Sequence, residues 1–124
     1  MSGDGTLKRV LLVEDDEDIA TLTALLLREL GYDVELAGNG VEALVALEGR
    51  RPDLILLDMK MPVMDGSAFA RAFRERYSAG PPLVVFTAAE DAARRAREIG
   101  ADGYIGKPFE FGEFKATVKR FLDG

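Results

Sequence analysis

The chain has 124 residues, 48% of them hydrophobic and 31% charged, which is typical of one folded globular domain rather than a disordered chain. It contains no Cys and no His, which excludes disulfides, thiolate or imidazole metal sites, cysteine nucleophiles and an internal phosphohistidine. The formal net charge of −6 argues against non-specific nucleic-acid binding, and no apolar run approaches the roughly 18 residues that span a bilayer.

Residues 1–6 are polar and rich in Gly, without the basic start and apolar stretch of a signal peptide. We expect a short disordered leader there and a single domain over residues 7–124. No linker, repeat or low-complexity segment interrupts that domain. The absence of Cys suits a cytoplasmic location, which we expect for this protein.

Short apolar runs then alternate with longer amphipathic segments along the chain. Residues 9–13 form an apolar run that predicts a strand, and helical spacing over residues 18–30 predicts a helix that Gly31 ends. The same patterns predict strands at 33–37, 54–57, 83–86 and 102–106, and helices at 41–49, 67–77, 88–99 and 110–122.

The run Leu54 to Leu57 is apolar on both faces, which is typical of a central parallel strand covered by helices on both sides. Five strands that alternate with five helices predict βαβ units with right-handed crossovers. The fold class is therefore α/β, with a doubly wound five-stranded parallel sheet.

Polar residues stand near the carboxyl ends of the predicted strands, where ligands bind in open α/β sheets. They are Glu14, Asp15 and Asp16 after strand one, Asp58 after strand three, Thr87 after strand four and Lys107 at the end of strand five. Each has a plainer interpretation alone, because Asp15, Asp16 or Thr87 can cap a helix and Lys107 can be a solvated lysine.

Asp58 is the hardest of these residues to explain as ordinary structure, because an unpaired carboxylate after a strand buried on both faces carries a desolvation cost. Lys107 and a metal ion are its candidate partners. Neighbouring carboxylates repel one another unless a cation neutralises them. Ligand oxygens from Asp residues, without His or Cys, favour a hard cation, and among these Mg²⁺.

These residues resemble the receiver (response-regulator) family of two-component signalling, of the chemotaxis type, over residues 8–122. The resemblance implies a flavodoxin-like (βα)5 fold with strand order 2-1-3-4-5, which belongs to the doubly wound class. The motifs that carry it are LVEDDE at 12–17, NGVEAL at 39–44, LDMKMPVMDG at 57–66, TA at 87–88 and KPF at 107–109.

The resemblance implies that Asp58 accepts a phosphoryl group beside a bound Mg²⁺. It implies that Asp16 and Asp58 bind the metal directly together with the main-chain carbonyl of Lys60, and that Asp15 holds a metal-bound water. Thr87 and Lys107 match the pair that contacts the phosphoryl oxygens.

The resemblance also implies a switch made of Thr87, Tyr104, Lys107 and Pro108. Tyr104 matches the aromatic switch position, and the Lys107–Pro108 peptide matches a bond that is cis in the family. Thr87 is expected to move towards the phosphoryl group, so that Tyr104 turns and the face of helix four, strand five and helix five changes. The residues we expect on that partner or dimer face are Arg94, Arg95, Arg97, Glu113 and Lys119.

The function implied is a phosphorelay switch that catalyses only its own phosphorylation and dephosphorylation. The implied partners are a histidine kinase or histidine phosphotransfer protein as donor and a protein target or effector domain downstream, with a homodimer as one form that phosphorylation can induce. We expect no direct nucleic-acid binding and no membrane contact. No effector motif follows Leu122, which slightly favours a stand-alone receiver over a piece of a longer regulator or hybrid kinase.

Three other functions fit part of the pattern. A haloacid-dehalogenase-like phosphatase places two Asp residues one residue apart, whereas Asp15 and Asp16 are adjacent. A nucleotide- or flavin-binding domain needs a glycine-rich turn after strand one, where acids stand here. A degenerate receiver that only docks is disfavoured because the set of acids, Thr87 and Lys107 is complete.

Overall fold

The computed structural model describes residues 7–123, so the leader predicted at residues 1–6 lies outside the described residues. Strands and helices alternate five times, as the apolar pattern predicted. The strands are β1 Arg9–Val13, β2 Asp33–Ala37, β3 Leu54–Leu57, β4 Leu83–Ala88 and β5 Gly103–Lys107. The helices are α1 Glu17–Glu29, α2 Gly40–Gly49, α3 Gly66–Arg76, α4 Ala89–Ile99 and α5 Phe111–Leu122.

All strand pairs are parallel, and the sheet order is β2-β1-β3-β4-β5, which confirms the predicted doubly wound topology. In the register, Val13 pairs with Leu57, the last residue of β3, and Leu57 pairs with Val85. Parallel pairing therefore brings the carboxyl ends of β1 and β3 side by side at the middle of one edge.

The sheet separates two apolar cores. Leu54 and Leu56 face the core under α1 and α5, whereas Ile55 and Leu57 face the core under α2, α3 and α4. All four side chains are fully buried, which explains why the strand is apolar on both faces. Burial of each such side chain stabilises the fold by about 1.5–3 kcal/mol relative to exposure.

Two strands extend further than the sequence pattern predicted. β4 continues through Thr87 to Ala88, so Thr87 lies within the strand and not after it. Ala88 is the N-cap position of α4 and provides no side-chain hydrogen bond there, so Thr87 is not the helix cap that its residue type also suggested. β5 ends at Lys107, one residue beyond the predicted end.

Two backbone features lie near the carboxyl edge of the sheet. The Lys107–Pro108 peptide is cis, which confirms that prediction of the family resemblance. Val63, in the loop between β3 and α3, has a φ of 68°, a conformation that β-branched residues rarely adopt. Among the described residues, no helix is both long enough and apolar enough to cross a membrane.

Candidate functional site

The backbone places two carboxylates at the centre of the carboxyl edge. Asp58 follows β3 directly, and its amide donates a hydrogen bond of 2.9 Å to the carbonyl of Val13. The amide of Glu14 likewise donates to the carbonyl of Ala37 at 2.9 Å. Because these bonds continue the parallel ladders past β1 and β3, Glu14 and Asp58 are held by the sheet and not by a mobile loop.

Carboxylate oxygens of Glu14, Asp15 and Asp58 all lie within 4.8 Å of one another. Glu14 and Asp58 are buried, whereas Asp15 is exposed. Asp16 lies beside this cluster, but its Oδ1 accepts a hydrogen bond of 3.0 Å from the amide of Ile19 and caps α1. The structure therefore brings Glu14 into the cluster where the sequence interpretation had placed Asp16.

Glu14 is the site residue whose importance the sequence interpretation missed. In a strand, side chains two positions apart point to the same face. Val10 and Leu12 both face the core under α1 and α5, so the alternation continues to Glu14 on that side. The sequence carries this alternation, but it does not show that the site lies on that face of the sheet, so Glu14 could be identified only from the register of β1 and β3.

Lys107 provides the positive charge of the site. Its Nζ lies 2.5 Å from Oε1 of Glu14 and 3.7 Å from Oδ1 of Asp58, and its side chain is mostly buried. An ammonium has three donors, so one lysine can serve both carboxylates. The closer ion pair is with Glu14, which leaves Asp58 more weakly paired.

Two further donors point to Oδ1 of Asp58. The hydroxyl of Thr87 donates to it at 3.4 Å, and the amide of Lys60 donates to it at 3.3 Å. Both are long for hydrogen bonds of these types and are correspondingly weak. Thr87 is only 3% exposed, so its hydroxyl lies inside the site although the residue belongs to β4.

Burial dominates the protonation of the two inner carboxylates. It raises the pKa of Glu14 to about 7, and the hydrogen bond from Lys107 only partly offsets the rise. Burial also raises the pKa of Asp58, again opposed mainly by the charge of Lys107. One lysine therefore does not neutralise two buried acids, and the pair retains a proton near neutral pH unless a second cation is present.

The donor set fits a hard divalent cation. The candidate ligands in the cluster are carboxylate oxygens of Glu14, Asp15 and Asp58, and Mg²⁺ prefers carboxylates with water in its remaining positions. The exposed side chain of Asp15 leaves the cluster open to solvent on one side. Because Lys107 alone does not neutralise the buried acids, their remaining negative charge favours the binding of a cation.

A cavity of about 700 Å³ opens over these residues. Its polar lining includes the acids, Lys60, Thr87 and Lys107. Its apolar lining comes from α1 and from the segment before α5, through Ile19, Leu22, Leu26, Pro108 and Phe109. The charged atoms of the site therefore share one cavity with apolar side chains.

The remaining predicted switch residue, Tyr104, lies in β5 with 52% of its surface exposed. It lines a separate cavity of about 290 Å³ between α4 and α5, together with Ala89, Ala92 and Thr117. Lys107 and Pro108 follow Tyr104 along the same segment, so the cavity and the acidic site share one stretch of backbone.

Comparison with known proteins points to one family. Residues 10–119 match the family described as the response regulator receiver domain. The DNA-binding response regulator MtrA of Mycolicibacterium paratuberculosis is 40% identical over 117 residues, which are 93% of this chain and 51% of that protein. The chain thus spans about half the length of this curated relative.

Two solved structures have the same fold. The chemotaxis protein CheY4 of Vibrio cholerae is 32% identical, with a TM-score of 0.83 over 94% of this chain and 100% of that chain. The response regulator TrrA of Thermotoga maritima, in complex with Mg²⁺-BeF, is also 32% identical, with a TM-score of 0.82 and the same coverage.

Proposed function

Because the chain belongs to the response regulator receiver family, the phosphorylatable switch of two-component signalling, we propose that Asp58 is its phosphoacceptor. Asp58 is 5% exposed, directly follows a central strand and contacts a lysine, a threonine hydroxyl and a main-chain amide. The chemotaxis subclass is finer than the comparisons support, since a DNA-binding regulator and a chemotaxis protein both resemble this chain.

For the metal site we propose Asp15 and Asp58 with the main-chain carbonyl of Lys60 as ligands of Mg²⁺, and Glu14 as the further acid that holds a metal-bound water. This assignment moves the two acids that follow β1 back by one residue from the sequence interpretation, which used Asp16 and Asp15. Two observations support it: Asp16 is committed to capping α1, and Glu14 is committed to Lys107.

In the proposed reaction, an Oδ of Asp58 attacks the phosphorus while the bond from phosphorus to the donor's imidazole nitrogen breaks and its electron pair leaves with the imidazole. Lys107 lies where it can donate to the phosphoryl oxygens, and the Thr87 hydroxyl can redirect its donation from Asp58 to the same group. Magnesium, when bound, supplies charge neutralisation between the acids and the phosphoryl oxygens. In this proposal the chain catalyses only its own phosphorylation and dephosphorylation, the latter by hydrolysis of the acyl phosphate.

The output proposed is a change of the surface formed by α4, β5 and α5. Phosphorylation adds about −1.5 to −2 charge, which draws Thr87 and Lys107 towards Asp58. Tyr104 stands beside the cavity into which an aromatic side chain can turn. We propose this surface, with Arg94, Arg95, Arg97, Glu113 and Lys119, for a protein target or for a homodimer formed on phosphorylation.

The proposed partners are a histidine kinase or phosphotransfer protein as donor and an effector downstream. DNA binding is part of the name of MtrA, about half of which lies outside the matched region. For the receiver itself we propose no direct nucleic-acid contact, because a net charge of −6 repels phosphates. We also propose that the protein is located in the cytoplasm.

The observation that carries the proposal is the pairing of buried Asp58 with Lys107 and Thr87 beside a second buried acid. The test is incubation with acetyl phosphate and MgCl₂, followed by intact-mass measurement. We expect one phosphoryl adduct in the native protein, none in Asp58→Asn and none when EDTA replaces MgCl₂. The matched control, Asp53→Asn directly before β3, should retain the adduct. Adduct formation in Asp58→Asn at the native rate would refute the assignment.

A further inference from the structure

The ammonium of Lys107 contacts an aromatic ring as well as the two carboxylates. Its Nζ lies 5.0 Å from the centroid of the Phe86 ring, over the ring face. A cation within about 6 Å of a ring face is attracted by the negative charge of the π-system. The carboxylates of Glu14 and Asp58 approach the same ammonium at 2.5 and 3.7 Å.

The ring of Phe86 is held in place from its other sides. Phe86 is fully buried, and its ring centroid lies 5.9 Å from that of Phe109 and 6.3 Å from that of Phe114. Phe109 and Phe114 stack on each other at 4.6 Å. A ring packed in this way cannot turn its face away from Lys107 without displacing the cluster.

An aromatic ring beside Lys107 stabilises the charge of the ammonium, which an aliphatic side chain of similar size does not do. It attracts the positive charge but accepts no strong hydrogen bond, so all three ammonium donors stay available for oxygen atoms. An aliphatic residue would fill the volume and leave the buried side of the ammonium against hydrocarbon, where charge is poorly solvated. Phe86 also directly precedes Thr87 in β4. Two adjacent residues of one strand therefore act on Asp58: Thr87 through its own hydroxyl, and Phe86 through the ammonium of Lys107.

We propose that Phe86 is a positioning residue for phosphoryl transfer, which holds the ammonium of Lys107 over its ring face in the orientation that reaches Glu14 and Asp58. This inference rests on the proposed function of Asp58 and Lys107. It assigns to Phe86 a part in the reaction rate, beyond its place in the core under α1 and α5.

The test replaces Phe86 with phenylalanines that carry one, two or three fluorine atoms, which weaken the attraction for a cation while the ring keeps nearly the same shape. We expect the rate constant for adduct formation at saturating acetyl phosphate to fall stepwise, by about three- to tenfold over the series. The Mg²⁺ affinity and the unfolding midpoint should change little, because neither the ligands nor the ring volume is altered. Phe86→Leu should be slowed at least as much as the trifluoro variant.

The matched control is the same fluorine series at Phe114, which is also fully buried and belongs to the same aromatic cluster. A native protein that forms the adduct, with a rate unchanged along the Phe86 series, would overturn the positioning role alone. An equal fall for the Phe114 series would also overturn it, since general packing would then explain the rate. A native protein that forms no adduct would refute the proposed function itself.

Discussion

The ammonium of Lys107 forms its closest ion pair with Glu14, at 2.5 Å, and lies 3.7 Å from Asp58. The side chain of Glu14 is only 1% exposed, so the lysine neutralises an acid that has almost no access to water. In the absence of a phosphoryl group, this pairing holds Lys107 beside Asp58 without tying it to Asp58. Glu14 therefore serves both as a neighbour of the proposed metal site and as an anchor for the lysine.

Substitution of Lys107 should show how much the ion pair with Glu14 contributes to the stability of the fold. We expect Lys107→Gln to lower the free energy of unfolding by about 1–3 kcal/mol at pH 8, because Glu14 is then left as a buried charge without its partner. At pH 5.5 the loss should be smaller, since Glu14, with a pKa of about 7, is then mostly protonated. Urea unfolding without Mg²⁺ at both pH values measures the difference. Lys115→Gln, at an exposed position of α5, is the control, and a loss independent of pH would contradict the expectation.

The stability of the metal-free protein should fall as the pH rises from about 5 to 7.5. The pKa of Glu14 is raised from 4.5 to about 7 in the folded state, so in this range the folded chain binds a proton that the unfolded chain has lost. The resulting stability is present below pH 4.5 and disappears as the pH passes 7, and each pH unit between the two pKa values corresponds to roughly 1.4 kcal/mol. Carboxylates with a lowered pKa, such as Asp91 and Asp123, are already ionised in this range. Unfolding of the native protein and of Glu14→Gln across this range tests the prediction; the variant should show a flatter curve.

Magnesium should reverse this pH dependence. Its ligands must be deprotonated, so Mg²⁺ competes with the retained proton and binds more weakly at pH 5.5 than at pH 8. At a concentration one hundred times the dissociation constant, the ion should stabilise the folded state by about 2.7 kcal/mol. Thermal unfolding with a MgCl₂ titration at both pH values measures the effect. A stabilisation that survives in Asp58→Asn at full size would place the ion elsewhere.

Gly66, the first residue of α3, lies directly against the backbone of Asp58 and Met59 at the end of β3. A Cβ at this position would lie 2.6 Å from Sδ of Met59 and 2.8 Å from both the carbonyl oxygen of Asp58 and the Cα of Met59. We expect Gly66→Ala to destabilise the fold by about 1–3 kcal/mol and to weaken Mg²⁺ binding, because the backbone beside the ligand must move. The control is Gly49→Ala at the end of α2, where nothing lies within 4 Å and where the change should be neutral or slightly stabilising. Equal effects of the two substitutions on Mg²⁺ binding would contradict the prediction.

Val63 is a site where a substitution should stabilise the protein. Its φ of 68° is costly for a β-branched residue, and its side chain is 82% exposed and so gains little from packing. We expect Val63→Gly to raise the free energy of unfolding by about 0.5–1.5 kcal/mol, because the strain relieved exceeds the added entropy of the unfolded chain. Val45→Gly, at an exposed position within α2, should instead destabilise by roughly 0.3–0.5 kcal/mol. A lower melting temperature for Val63→Gly would refute the argument.

Local patterns in the sequence were sufficient to predict the alternation of strands and helices and most of their boundaries. Residues 54–57 are apolar throughout, and the structure covers both faces of β3 with helices. Where the pattern ended too early, as at Thr87, the reason was non-local: Thr87 pairs with Gly106 in β5, and hydrogen bonding between distant strands extends β4 past its apolar run. From the sequence alone, a polar residue near the end of a strand can be either the last residue of the strand or the first residue after it.

By itself, the sequence determined the order of the elements, the parallel sheet and the edge at which acids, a threonine and a lysine gather, because these follow from periodicity and from the topology of βαβ units. Only the tertiary structure decided which acids of 14–16 enter the cluster and which one Lys107 contacts. That choice depends on the register of β1 against β3 and on the start of α1, where Asp16 is the N-cap. A shift of one residue along the chain would move a side chain from the site to the opposite face of the sheet. The packing of the strands and helices fixes the register that prevents such a shift.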